Sequence, residues 1–136
     1  MPGMNDRFQS QGLSLACHIA HPSDDAQPSP GIILCHGFPI GPLDAQLSAG
    51  TFPQLIDRIS RQLDCVAMTF NFRGCGESAG DFSLQGWVDD LRNAIAHLHE
   101  VSNPNGVILL GTNTGGSIAV CVGADDPNVT AVGLLS

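Results

Sequence analysis

The sequence has no lysine and no tyrosine, and its five basic residues are all arginine. Against them stand 13 acidic residues, for a net charge of −8. Arg7, Arg58, Arg61, Arg73 and Arg92 are scattered along the chain. Phosphate contacts need clustered cations, so this distribution argues against nucleic-acid binding. It argues equally against docking on an anionic membrane surface. No run of apolar residues is long enough for a membrane-spanning helix. The start, MPGMNDRFQSQG, lacks the basic stretch and apolar run of a signal peptide, so a cytoplasmic chain is expected.

Disulfide and metal signatures are missing as well. Cys17, Cys35, Cys65, Cys75 and Cys121 are odd in number, with no C-x-x-C pair. Buried free thiols in a reducing compartment are expected, with Cys75 the one exposed in a glycine-rich loop. The five histidines lack ligand spacing, and His97 and His99 are two apart on a helix, so no metal site is expected. What the chain does have is 43% hydrophobic and only 13% charged residues, a globular balance. A chain of this length buries roughly 70% of its unfolded surface.

Apolar runs alternate with turn signals. Leu13–Ala20 reads as a strand paired with Phe8–Ser10 across a Gln11-Gly12 turn. Gly31–His36, Cys65–Phe70, Gly106–Gly111 and Thr130–Leu135 are short continuous apolar runs, as buried parallel strands require. Three helices lie between them. The first opens on Thr51 and Gln54 as a capping box and carries Leu55, Ile56, Ile59 and Leu63 on one face. The second spans about 85–101, with Trp87, Leu91, Ala94, Ile95 and Leu98 as its buried stripe and Asp89, Asp90 and Arg92 as its wet side. The third runs from Thr114 to about Ala124. This order predicts an α/β fold, a parallel sheet with helices on both faces.

Ligands in such sheets bind at the carboxyl ends of the strands. Three loops leave those ends: His36-Gly37-Phe38-Pro39, Phe72-Arg73-Gly74-Cys75-Gly76-Glu77-Ser78 and Gly111-Thr112-Asn113-Thr114-Gly115-Gly116. Their order and spacing resemble the α/β-hydrolase superfamily, whose H-G-x-P, F-R-G-x-G-x-S and G-x-nucleophile-x-G motifs follow the third, fourth and fifth strands. The resemblance covers nearly the whole chain. In style it is similar to the serine-aminopeptidase and dienelactone-hydrolase-like branches, which implies ester, peptide or acyl hydrolase ancestry and no cofactor.

In the resembled family the turn after the fifth strand is a nucleophile elbow, with one side chain standing on a strained strand-to-helix turn. Gly111 and Gly115 supply the small flanks it needs. The tip, however, is Asn113 where the family has Ser, Cys or Asp. An amide has no ionisable proton and cannot act as the acyl-transfer nucleophile, so Asn113 is expected to be inert. The resemblance assigns the oxyanion hole to the backbone N–H groups of Phe38 and Thr114. It makes His36 a structural support beside Gly37 rather than the base. Two readings stand for Arg73: a pair with Glu77 that braces the loop, or an arginine on the loop surface.

The family's acid and histidine follow its seventh and eighth strands. No histidine follows His99, and the chain ends in what would be the sixth strand. Residues 1–136 therefore read as a partial α/β-hydrolase domain, the N-terminal half. A fragment, a disrupted reading frame and a half completed by another polypeptide all fit. Inactivity of this chain is expected, with a non-catalytic ligand- or partner-binding relative as the alternative. The ligand would be a small acyl or ester molecule. Self- or hetero-association would run through the exposed last strand. A nucleotide-binding Rossmann reading fails, because Gly74–Gly80 has the spacing G-x-G-x-x-x-G and no helix start follows.

Overall fold

The computed structural model describes residues 4–38 and 51–135. Pro39 and the rest of the Gly/Pro loop through Gly50 lie outside the described residues. Strand β1 (Asp6–Ser10) turns through Gln11 and Gly12 into β2 (Leu13–Ala20). Both turn residues have positive φ, 50° and 82°, the backbone of a two-residue hairpin whose twist matches its strands. Then follow β3 (Gly31–Cys35), α1 (Phe52–Leu63), β4 (Ala67–Phe70), α2 (Leu84–Ser102), β5 (Val107–Thr112), α3 (Thr114–Asp125) and β6 (Val129–Leu135).

The six strands form one sheet in the order β1-β2-β4-β3-β5-β6. The β4-β3-β5-β6 part is parallel, as expected from the apolar runs. The β1-β2 hairpin joins it antiparallel, β2 against β4. Alternate residues of the buried strands serve opposite faces. Ile33, Cys35, Met68, Phe70, Val107 and Leu109 join Trp87, Leu91 and Leu98 of α2 and Ile118 and Val122 of α3 in the larger core. Ile32, Leu34 and Ala67 pack with Ile56 of α1 on the other face.

Several local expectations are corrected. Thr51 has helical φ and ψ and makes no capping hydrogen bond, so the capping box is not used. Among the described helices the side-chain cap belongs to Ser83, which accepts the Gly86 N–H at 2.9 Å and starts α2. Leu63 is exposed, because α1 ends there and Asp64 turns left-handed before the chain re-enters the sheet. The strand Val129–Leu135 is not buried. It is a sheet edge with Leu134 and Leu135 open to solvent.

All five cysteines are free, but the exposed one is Cys121 rather than Cys75. Cys121 lies on α3 at the edge of the buried stripe formed by Ile118, Ala119 and Val122. Cys75 folds under its loop into the larger core, and burial pushes its thiol up to about 11. Burial likewise pushes Cys17 and Cys35 up to about 12.

Candidate functional site

The β5-to-α3 turn is the sharpest feature of the chain. Asn113 has φ 51° and ψ −123°, outside even the left-handed helical well that asparagine tolerates. The strain is imposed from both sides. Strand β5 is held in register with β3 and β6 up to Gly111 and Thr112. Helix α3 starts at once, with the Asn113 carbonyl accepting from the Gly116 and Ser117 N–H groups at 3.0 and 3.2 Å. The glycines make the turn fit. A Cβ on Gly115 would land on the Cys35 and His36 carbonyl oxygens, and one on Gly111 would lie 2.6 Å from Gly116 Cα.

The loop after β3 lies against this tip. A Cβ on Gly37 would be 3.0 Å from both Asn113 Cβ and the Thr112 carbonyl oxygen. The structure thus brings His36 and Gly37 beside Thr112, Asn113 and Gly115, with Phe38 next in the chain. Thr114 opens α3, so its N–H has no acceptor within the helix. A cleft of about 380 Å³ adjoins the tip, lined by Gly111, Asn113, Gly116, Ser117, Val120, Leu134 and Leu135.

His36 is 3% exposed and ties two loops together. Its Nε2 accepts the Phe72 N–H at 3.1 Å, and its Nδ1 lies 2.6 Å from the Gly37 carbonyl oxygen. That pair of partners fits the neutral ring with the proton on Nδ1. Burial lowers its pKa below 6.5, partly offset by the Gly37 hydrogen bond. A folded pKa below the unfolded one means that the unfolded chain binds the proton first, so stability falls as pH drops below about 6.5. In urea denaturation at pH 7.5 and 5.5, His36→Asn should show a smaller loss than the wild type. An equal loss would mean that the ring takes a proton in place.

Arg73 does not pair with Glu77. Its guanidinium grips Asp90, Nη2 to Oδ1 at 2.8 Å and Nε to both oxygens at 3.1 and 3.2 Å. These hydrogen bonds raise the Arg73 pKa. The Glu77 backbone carbonyl accepts instead from Arg7. Asp90 is therefore not on a wet face. It is fully buried and also accepts from Ser10 Oγ at 2.7 Å and the Arg73 N–H at 2.9 Å. Donors on three sides are what allow a carboxylate there. Helical spacing carried the signal, since residue 90 is three from Trp87 and four from Ala94.

Trp87 links the loops from below. Its ring stacks on Phe72 at 4.3 Å and on Phe38 at 5.8 Å, and its Nε1–H donates to the Arg73 carbonyl at 3.2 Å. Phe82 completes the cluster, edge-on to Phe38 at 4.8 Å.

A sheet in this order, with a strained helix-starting turn after β5 and two loops converging on it, is the α/β-hydrolase arrangement. Solved structures agree. Est1E from Butyrivibrio proteoclasticus, with ferulic acid bound, superposes with a TM-score of 0.75 at 16% identity, over 94% of this chain and 51% of its own. The α/β hydrolase GrgF from a Penicillium species gives 0.79 at 20% identity, over 98% and 45%. An α/β serine hydrolase without a lid from Xanthomonas campestris gives 0.65 at 23% identity, over 91% and 57%. No family model matches the sequence, and no curated protein matches it. The chain has the α/β-hydrolase fold and spans about half the length of these solved relatives. No helix among the described residues is long and apolar enough to cross a membrane.

Proposed function

We propose that this chain carries a binding version of the α/β-hydrolase site that does not form an acyl-enzyme. The observation behind the reading is Asn113 at the elbow tip, in nucleophile-elbow backbone geometry and packed against Gly37. Its amide cannot be ionised to attack a carbonyl. It does offer a donor and an acceptor at the point where the family's nucleophile stands. The N–H groups of Phe38 and Thr114 are the pair that would hold an acyl or carboxylate oxygen. A small acyl, ester or carboxylate molecule is the ligand class. Ferulate is a fitting probe, since Est1E holds ferulic acid. The N-F-R-G-C-G-E-S run at 71–78 supports the serine-aminopeptidase and dienelactone-hydrolase-like branch. Five free thiols support a reducing, cytoplasmic setting.

The wild-type chain should show no p-nitrophenyl acetate turnover above buffer and no covalent label from a fluorophosphonate. Ferulate or butyrate should shift the Phe38 and Thr114 amide resonances. A stoichiometric adduct on the wild type, or unmoved amides at saturating ligand, would defeat the reading. Asn113→Ser alone should not restore turnover, because no histidine in the chain follows His99.

A second reading has its own support. Val120, Leu134 and Leu135 are exposed around the cleft, and the solved relatives extend over about twice this chain's span. In this reading another polypeptide segment covers the strip and completes the site. Turnover by Asn113→Ser only in the presence of such a segment would select it.

A further inference from the structure

The fold assembles three metal-ligand side chains that lie far apart in sequence. Asp6 and Cys17 are directly opposed across the β1-β2 hairpin, so their side chains share one face of the sheet. Helix α2 crosses that face and sets His97 over the pair. One ligand atom from each of Asp6, Cys17 and His97 lies within 4.8 Å of the others. His97 Nε2 is already 3.1 Å from Asp6 Oδ2. Phe8, two residues along β1, stacks on the His97 ring at 5.5 Å with planes 23° apart, which fixes how the ring faces the strands. The geometry points to a zinc-class divalent cation site at Asp6, Cys17 and His97, pinning the β1-β2 hairpin to α2.

The donor set selects the metal class. Thiolate and imidazole favour Zn²⁺ over Mg²⁺ or Ca²⁺, and one carboxylate completes a three-residue set with water as the fourth ligand. Tetrahedral zinc separates its ligand atoms by roughly 3.3–3.6 Å. Closing from 4.8 Å asks for a movement of about 1 Å, well within the reach of a side-chain torsion. Asp6 has that freedom, since its side chain is 47% exposed, while Cys17 is buried and His97 is 17% exposed. The exposed carboxylate also marks the way in. The chain's charge of −8 favours cation approach. The metal displaces the Cys17 proton on binding.

The test uses the full chain carrying Cys121→Ser, which removes the exposed thiol, with a non-thiol reductant and Co²⁺ as spectroscopic probe. One equivalent of Co²⁺ should give a near-ultraviolet thiolate-to-metal charge-transfer band, displaced by Zn²⁺. Cys17→Ser should abolish the band. His97→Gln and Asp6→Asn alter partly exposed side chains, and each should weaken binding at least about tenfold. Zn²⁺ should raise the urea midpoint of the parent and not of His97→Gln. The proposal fails if no band forms at one equivalent or if the band survives Cys17→Ser. It also fails if both His97→Gln and Asp6→Asn bind as tightly as the parent, the result expected of a plain Asp–His ion pair above an inert thiol.

Discussion

Asp90→Ala is expected to cost about 3–5 kcal/mol of folding stability, the range for breaking a buried ion pair from one side. Asp90 is fully buried and Arg73 nearly so, with side-chain exposures of 0% and 13%. Alanine would leave the guanidinium with only Gln11 Oε1 as acceptor, and the Arg73 N–H and the Ser10 hydroxyl facing a cavity without the acceptor they now have. Asp90→Asn keeps an acceptor for part of that set and should cost less. Arg73→Met combined with Asp90→Leu removes both charges and should recover most of the loss, since a buried pair replaced by apolar groups is often neutral. Urea denaturation of the wild type, Arg73→Met, Asp90→Leu and the double variant closes the cycle. A cost below about 1 kcal/mol for Asp90→Ala would mean that water already reaches the carboxylate.

Asp90 also shows where sequence and structure part. The α2 stripe of Trp87, Leu91, Ala94, Ile95 and Leu98 is legible because apolar residues recur at helical spacing, and all five are buried. Asp90 falls on that same face but reads as wet, because a charge is buried only when distant residues satisfy it. Ser10 is 80 residues away in sequence. The cysteines err for a related reason. A glycine-rich loop suggests exposure for Cys75, yet the loop folds back over the core and buries it. In α3, a helix of small and apolar residues all round, the sequence marks no wet face for Cys121. The elbow, by contrast, is legible because its demand is local. Close approach of β5, α3 and the Cys35 and His36 carbonyls leaves no room for a Cβ at 111 or 115. The cation cluster was invisible, since its ligands come from two strands and a helix and share no spacing.

Trp87→Ala is the second large effect, about 3–5 kcal/mol for removing a fully buried tryptophan. Its consequence for the site is more specific than the loss of stability. One face of the ring supports Phe72, whose own backbone N–H is the one that His36 accepts. The same ring stacks on Phe38, whose own N–H is one of the two assigned to the ligand. Phe82 packs edge-on to the ring at 5.1 Å. Removing the indole therefore undercuts the loops after β3 and β4 together while leaving the strands, and Asn113 at the β5-to-α3 turn, in place. Trp87→Phe keeps a stacking plate but leaves the Arg73 carbonyl without its donor, a loss of about 1–3 kcal/mol. Backbone amide spectra would separate the two roles of Trp87. In Trp87→Ala the Phe38 and Phe72 amides should move and exchange faster, and those of β5 should not. If the urea midpoint falls while the Phe38 amide stays unmoved, the tryptophan is core alone. If both change, the residue that holds the larger core together also sets the shape of the loop after β3.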